Sequence, residues 1–337
     1  MRRLIYILFT LLLLVGCKSK NEIEFSWDPV YNVEVLWKII DTKYCFVEDK
    51  GIDWNAIRSE YVTKAATIKE GDQIALFDLC ASMLDSLHDG HVNIYTQFDI
   101  SRNEAWYNSY PDNFYADQQS EYLKNYRIAG GLQYTTIDNG QVGYVYCPSF
   151  SSTISANNIY WIVSAFKSTC RGLIIDVRNN GGGDLSNAYR LAAAFTKEDM
   201  PVGYWRHKSG PGHNDYSEAE KMTVKAADCP SKWLRPVVVL SNRQAYSATN
   251  FFINCMTQVP HATIIGGKSG GGGGMPLSYE MPCGWTVRFS SVKMFDVNMH
   301  SIEEGIDPDE TVTTLKTYTK DKIIERAIEI IHSKTGG

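Results

Sequence analysis

Three short stretches of this 337-residue chain carry residue types that can do acyl-transfer chemistry. Asp89-Gly90-His91 offers an imidazole base. The stretch from Asp176 to Gly183 leaves an apolar run and enters Asn179-Asn180-Gly181-Gly182-Gly183. Bare backbone N–H groups there can come close to an oxyanion. Tyr246-Ser247-Ala248 follows the apolar run 236–240 and puts a hydroxyl at the start of a helix, whose positive end favours developing negative charge. Base, oxyanion turn and nucleophile are the minimum set for acyl transfer. A fourth stretch, Glu303-Glu304-Gly305-Ile306-Asp307-Pro308-Asp309, adds a carboxylate able to orient a histidine.

Each stretch also has a plainer reading. Ser247 fits an ordinary helix N-cap. Its neighbours, Ala245 and Thr249, are not the glycines of a G-x-S-x-G elbow, which weighs against an α/β-hydrolase. Asn180 to Gly183 also suits a tight strand-to-helix turn. A dinucleotide fingerprint would need glycine where Ser186 stands, and a phosphate loop around Lys268 would need it at Ala262. His88 and His91 make half of a metal site with no second ligand set at matching spacing, so no metal and no cofactor are expected. Glu303 and Glu304 are adjacent and face opposite ways on an extended backbone, a poor glycosidase pair.

The elements that must position these residues are legible in the periodicity. Val33, Leu36, Trp37 and Ile40, then Ile74, Phe77, Ala81 and Leu84, recur at helical spacing, and Asp53 caps a second helix. Residues 29–97 therefore read as a small helical cap ending at the histidine motif. Residues 98–137, rich in Tyr, Asn, Asp and Gln, read as a connecting segment. Residues 138–337 alternate strand and helix: strands at 143–146, 172–177, 236–240 and 262–265, and helices at 160–167, after the cap Asp184, at 247–256 and at 322–332. That alternation favours a largely parallel α/β core. The five glycines 270–274 read as a mobile loop.

The start of the chain is an address. Arg2 and Arg3 precede a short apolar run and Leu14-Val15-Gly16-Cys17, the pattern of a lipoprotein signal. Residues 1–16 read as a cleaved signal and 17–28 as a lipidated Cys17 with its tether. The expected location is exported and lipid-anchored in a bacterial cell envelope, facing the periplasm or the cell surface. With 44% hydrophobic and 21% charged residues, the rest is globular, and a net charge of −5 without a basic cluster argues against nucleic acid as partner. Seven scattered cysteines follow Cys17 without a CxxC, an odd number that leaves at least one free thiol.

Taken in order, these motifs resemble the tail-specific and tricorn-like serine peptidases over roughly residues 29–315. The resemblance implies a crotonase-like ββα spiral core with a small N-terminal helical cap, and a peptide or protein substrate. It implies Ser247 as nucleophile, with Gly181, Gly182, Gly183 and Ala248 supplying oxyanion donors. Where the tail-specific branch carries its lysine base stands Gly272; Lys268 lies four residues short of it. The tricorn-like branch instead uses a histidine from the end of the cap, matched by His91, and a late glutamate, matched by Glu303 or alternatively Glu304. A histidine base implies activity rising through a pKa of roughly 6 to 7. The PDZ domain common in the family has no room in 98–137. Two rival readings are a non-catalytic lipoprotein that binds peptides or glycans, its rim drawn from Ala105-Trp106-Tyr107 and Gly203-Tyr204-Trp205, and an esterase.

Overall fold

The computed structural model describes residues 24–103 and 110–336. The signal, Cys17 and the aromatic triplet at 105–107 lie outside the described residues. Three helices open the fold, each started by an aspartate. Asp28 accepts from the amides of Val30 and Tyr31 ahead of α1 (Pro29–Lys43), Asp53 from Ala56 ahead of α2 (Trp54–Ala65), and Asp72 from Ala75 ahead of α3 (Gln73–Asp85). Such caps satisfy amides that a first helical turn leaves free. Val33, Leu36 and Ile40 of α1 pack against Leu76, Cys80 and Met83 of α3. Of the row the spacing suggests on α3, Phe77 and Leu84 are buried, while Ile74 is 57% exposed and Leu76, Cys80 and Met83 complete the buried face.

The helices do not form a core alone. Val287 and Phe289 of a later strand, with Trp285 just before it, complete it, so cap and core share one apolar cluster. After α3 the chain forms β1 (Asn93–Tyr95), the short helix α4 (Ala116–Ser120), and the hairpin of β2 (Arg127–Ala129) and β3 (Leu132–Ile137). The end of the stretch read as a connecting segment is therefore sheet. Its Tyr- and Thr-rich alternation was masked by polar residues on the outward face.

The α/β core continues with β4 (Val142–Tyr146), α5 (Ala156–Phe166), β5 (Gly172–Asp176), α6 (Leu185–Ala193), β6 (Met200–His207), β7 (Glu220–Val224), β8 (Val237–Ser241), α7 (Ala248–Thr257), β9 (Ala262–Gly266), β10 (Gly274–Glu280), β11 (Thr286–Phe295), β12 (Glu310–Thr311) and α8 (Lys322–Thr335). The larger sheet runs β12-β9-β8-β5-β4-β3-β2, parallel from β12 to β4 and antiparallel beyond. Alternate residues face opposite layers. Val145, Ile175 and Val239 meet α5, α6 and α7, while Tyr144, Ile174 and Val238 meet α8. All five residues of β5 are buried, which explains its unbroken apolar run.

A second, antiparallel sheet was not anticipated: β1-β11-β6-β7, with β10 on the other edge of β11. One edge of β11 pairs with β1 over 286–288 and with β6 over 292–295. The carbonyls between are taken by loop amides, Cys45 N to Ser290 and Lys208 N to Ser291. This strand joins the cap to the core directly behind the histidine motif. The polar centre beyond β5 is also structural: Arg178, fully buried, pairs with Asp176 at 2.6 Å and with Asp321 at 2.8 Å. Such a pair makes the site's floor rigid, because removing one partner strands buried charge.

Candidate active site

The parallel strands β5 and β8 deliver the two loops of the site side by side. Asn242, just past β8, accepts from the amide of Asn179 at 3.0 Å and donates to its side chain at 2.6 Å. The amide of Tyr246 donates to the carbonyl of Asn180 at 3.1 Å. The glycine turn and the serine turn are thus locked together before any substrate arrives.

Ser247 stands where an N-cap would, yet its side chain makes no capping bond. Its backbone lies at φ 59°, ψ −121°, in a region that residues with a Cβ rarely occupy. The strain is held by the Ser247 amide donating to the carbonyl of Gly271 at 2.8 Å and by the first turn of α7. The result is a sharp strand-to-helix turn without flanking glycines. The clearance comes from the neighbouring loop: a Cβ on Gly182 would meet the Tyr246 carbonyl oxygen at 2.7 Å and the Ser247 Cβ at 2.8 Å.

The Ser247 Oγ lies 2.9 Å from Nε2 of His91, a residue 156 positions away on the cap. Asp89 sets the histidine's turn. Its carboxylate accepts from the His91 amide at 2.7 Å, from the Tyr44 hydroxyl at 2.8 Å and from the Tyr246 hydroxyl at 3.3 Å. One carboxylate therefore ties the His91 backbone to the residue before Ser247. The Tyr246 ring also lies against the imidazole, 4.8 Å between centroids. In the sequence Asp89 is only part of the histidine motif and Tyr246 only a flank of Ser247. Neither role has a spacing signal, because their partners are distant in the chain.

At the other ring nitrogen the structure corrects an expectation. Nδ1 of His91 faces the hydroxyl of Ser290 on β11 at 3.5 Å, not a carboxylate. Glu303 is buried at 8% exposure, with one oxygen 3.5 Å from Lys50 Nζ and the other without a hydrogen-bond partner. Glu304 lies 3.3 Å from the same lysine and its side chain is 73% exposed. Neither makes a hydrogen bond to His91 among the described residues. The pair sits in a turn, not on an extended backbone, and both carboxylates converge on the same lysine, one buried and one exposed. Burial, and then the charge of Asp89, push the Glu303 carboxyl well above the usual range.

The oxyanion donors also need revision. The amide of Gly182 is already spent on the Asn180 side chain at 2.9 Å, which bends the turn. Asn180 is held in turn by the Cys147 carbonyl at 2.9 Å. The amides of Gly181, Gly183 and Ala248 have no intrachain acceptor among the described residues and remain available. The glycines 270–274 are buried and packed, not a mobile loop. The Gly272 amide donates to the Glu303 carbonyl at 3.0 Å, and a Cβ there would strike the Tyr246 ring.

Burial pushes the His91 imidazole down to about 4; Arg288 adds to the effect and Asp89 opposes it. The expectation of a pKa near the free value missed this desolvation, since exposure cannot be read locally. Lys268 is on the surface, 3.8 Å from Asp307. The seven cysteines are buried and unpaired, and among the described residues no group of His, Cys, Asp or Glu is disposed to hold a metal. On β6, Trp205 donates its ring N–H to Glu220.

Comparison with known proteins comes to the same region. Residues 141–312 match the model of peptidase family S41, and residues 30–85 match that of the tricorn protease C1 domain. A CtpA-like serine protease of Staphylococcus epidermidis is 27% identical over 178 residues, 52% of this chain and 35% of that protein. Its Staphylococcus saprophyticus counterpart is 28% identical over 52% of this chain and 34% of that protein. The matched part spans about a third of the length of these relatives. A Parabacteroides merdae protein assigned as a peptidase is 43% identical, with a TM-score of 0.84 over 90% of this chain and 96% of that one. Mature CPAF shares the fold at 12% identity, with a TM-score of 0.65 over 90% of this chain and 96% of that one.

Two outcomes follow from the geometry. The rate at which a serine-directed phosphonate labels Ser247 should hold down to about pH 5 and fall to half near pH 4, because His91 is a base only while neutral. A midpoint at 6 to 7, with the fold intact by circular dichroism, would show that the imidazole is solvated. Ser290→Ala removes the hydroxyl at Nδ1 and should slow labelling about five- to tenfold, the equivalent of one hydrogen bond. Its unfolding midpoint should stay close to the parent's, and an unchanged labelling rate would remove Ser290 from the site.

Proposed function

The chain belongs to peptidase family S41, and on that footing we propose that it is a serine peptidase acting through an acyl-enzyme on Ser247. The observation that carries this reading is the 2.9 Å contact between the Ser247 hydroxyl and His91, made by a serine in a strained turn whose next amide is free. A protein that only bound peptides or glycans would have no use for that strain.

The chemistry follows from the positions. His91 Nε2 takes the proton of Ser247 as the oxygen attacks a peptide carbonyl. The tetrahedral oxyanion is met by the amide of Ala248, with Gly181 or Gly183 as second donor. His91 then gives its proton to the departing amine, leaving an ester on Ser247 that water cleaves by the same steps in reverse order. While the imidazole is charged, Asp89 supplies the nearby negative charge that favours it, and Ser290 holds the ring from behind. Lys268, paired with Asp307 at the surface, has no part in this scheme.

Ser247→Ala should abolish both phosphonate labelling and peptide turnover, while Lys268→Ala keeps both near the parent level. Residual turnover in the serine variant at parental rate would move the nucleophile elsewhere. Collapse in a well-folded Lys268 variant would point to a lysine base.

The reading also includes export and a lipid anchor at Cys17, supported by the basic start, the short apolar run and the cysteine that follows it. In a bacterial host, metabolic labelling with a palmitate analogue should mark the parent chain and not Cys17→Ser. Equal label on both would mean the segment does not direct lipidation.

A further inference from the structure

Behind the histidine lies a second cavity, of about 470 Å³, that the peptidase chemistry does not use. Its walls are the end of α1, the loop that follows β6, and the outward side of β10 and β11. Lys43 and Lys208 bring ammoniums to it, His207 an imidazole, and Thr42, Ser209 and Ser291 bring hydroxyls. No carboxylate lines it.

Neither lysine is in an ion pair among the described residues. The Lys43 ammonium lies 4.6 Å above the Tyr279 ring. Among the described residues Lys208 hydrogen-bonds only to the Gly212 carbonyl, and it lies 5.3 Å above the Tyr216 ring. Burial depresses its pKa from the usual lysine value; Asp215 opposes the effect without offsetting it, and Lys293 adds to it. The acids of the neighbourhood are committed elsewhere. Asp41 and Glu48 grip the two nitrogens of His213 at 2.9 and 2.6 Å. Asp215 accepts from the Gly212 amide; Glu220 accepts from Trp205 with one oxygen and lies 3.8 Å from His207 Nδ1 with the other. The hydroxyls of Ser209 and Ser291 donate to no group among the described residues, and that of Thr42, donating to Lys38, can still accept.

We propose that this cavity binds a phosphate group. Two ammoniums and hydroxyls on separate walls suit a tetrahedral anion with oxygens pointing in several directions, and lysine is a point-charge donor well suited to phosphate. A planar carboxylate, with two oxygens, leaves part of this set unmatched. The cavity is several times larger than phosphate itself, so the group is carried by a larger molecule, a soluble phosphate ester or a lipid headgroup. Its placement gives binding a consequence. On β11, Ser290 faces His91 while Ser291 faces the cavity; at the end of α1, Lys43 faces the cavity while the next residue, Tyr44, bonds to Asp89. The ligand therefore presses on the two elements that hold the base. Binding itself does not depend on the peptidase reading.

Calorimetric titration of the folded chain with inorganic phosphate at low ionic strength tests the proposal. The expected result is saturable binding, at least tenfold weaker in Lys43→Ala/Lys208→Ala, with acetate at matched ionic strength binding more weakly than phosphate. Ser209→Asp, on the loop, should weaken binding similarly while leaving the thermal midpoint in place, which separates loss of the site from loss of the fold. Glycerol 3-phosphate binding tighter than inorganic phosphate identifies a soluble ester. Sedimentation with phosphatidylglycerol vesicles, competed by phosphate and lost in the double variant, identifies a headgroup. Absence of saturation by phosphate, equal binding of acetate, or unchanged phosphate affinity in the double variant overturns the proposal.

Discussion

One hydrogen bond organises this molecule: the contact between a hydroxyl on the α/β core and an imidazole on the helical cap. A bond between groups 156 residues apart forms only if two bodies dock to within a fraction of an ångström. The structure secures that in two ways. The apolar cluster of the cap is completed by Val287 and Phe289 of β11 and by Trp285 just before it, so the cap is not an independent body. Within it, the Asp89 carboxylate binds Tyr44, the His91 amide and Tyr246, linking both sides of the contact. Nonpolar burial supplies the affinity of the two parts and the buried carboxylate supplies their register.

The second constraint is close approach of backbones. Ser247 is strained, and its strain persists because glycines in adjoining loops pack closely against its turn. Gly182 lies against the serine itself, and the run 270–274 threads between the serine turn and the Ile302–Glu303 segment. A run of glycines that would be floppy in solvent is rigid here, since its amides and carbonyls are consumed by neighbours. Gly270 donates to Ala245, Gly271 accepts from Ser247, and Gly272 donates to Glu303.

Electrostatically the site is dry. Desolvation keeps His91 neutral and raises the tyrosines around Asp89, so Tyr44 and Tyr246 remain proton donors to it. Lys50 lies between Glu303 and Glu304 and limits the accumulated negative charge. In this setting a carboxylate near the imidazole, without touching its ring, still favours the charged form that catalysis creates transiently.

Read alone, the chain was informative where the physics is local. Strand and helix periods, aspartate caps, the glycine turn and the serine at a helix start are each set by neighbouring residues, and their order in the chain pointed to His91 and Ser247. It was uninformative where the physics is tertiary. The spacing of 156 residues says nothing of a 2.9 Å contact. Ser290, on a strand read only after folding, took the place expected for Glu303 because strand pairing, not sequence distance, decides what faces Nδ1. The Gly182 amide was lost to Asn180, the glycine run was buried, and the imidazole was desolvated by the cap that carries it. Local rules chose the residue types. Packing chose which atoms meet and how much water is left between them.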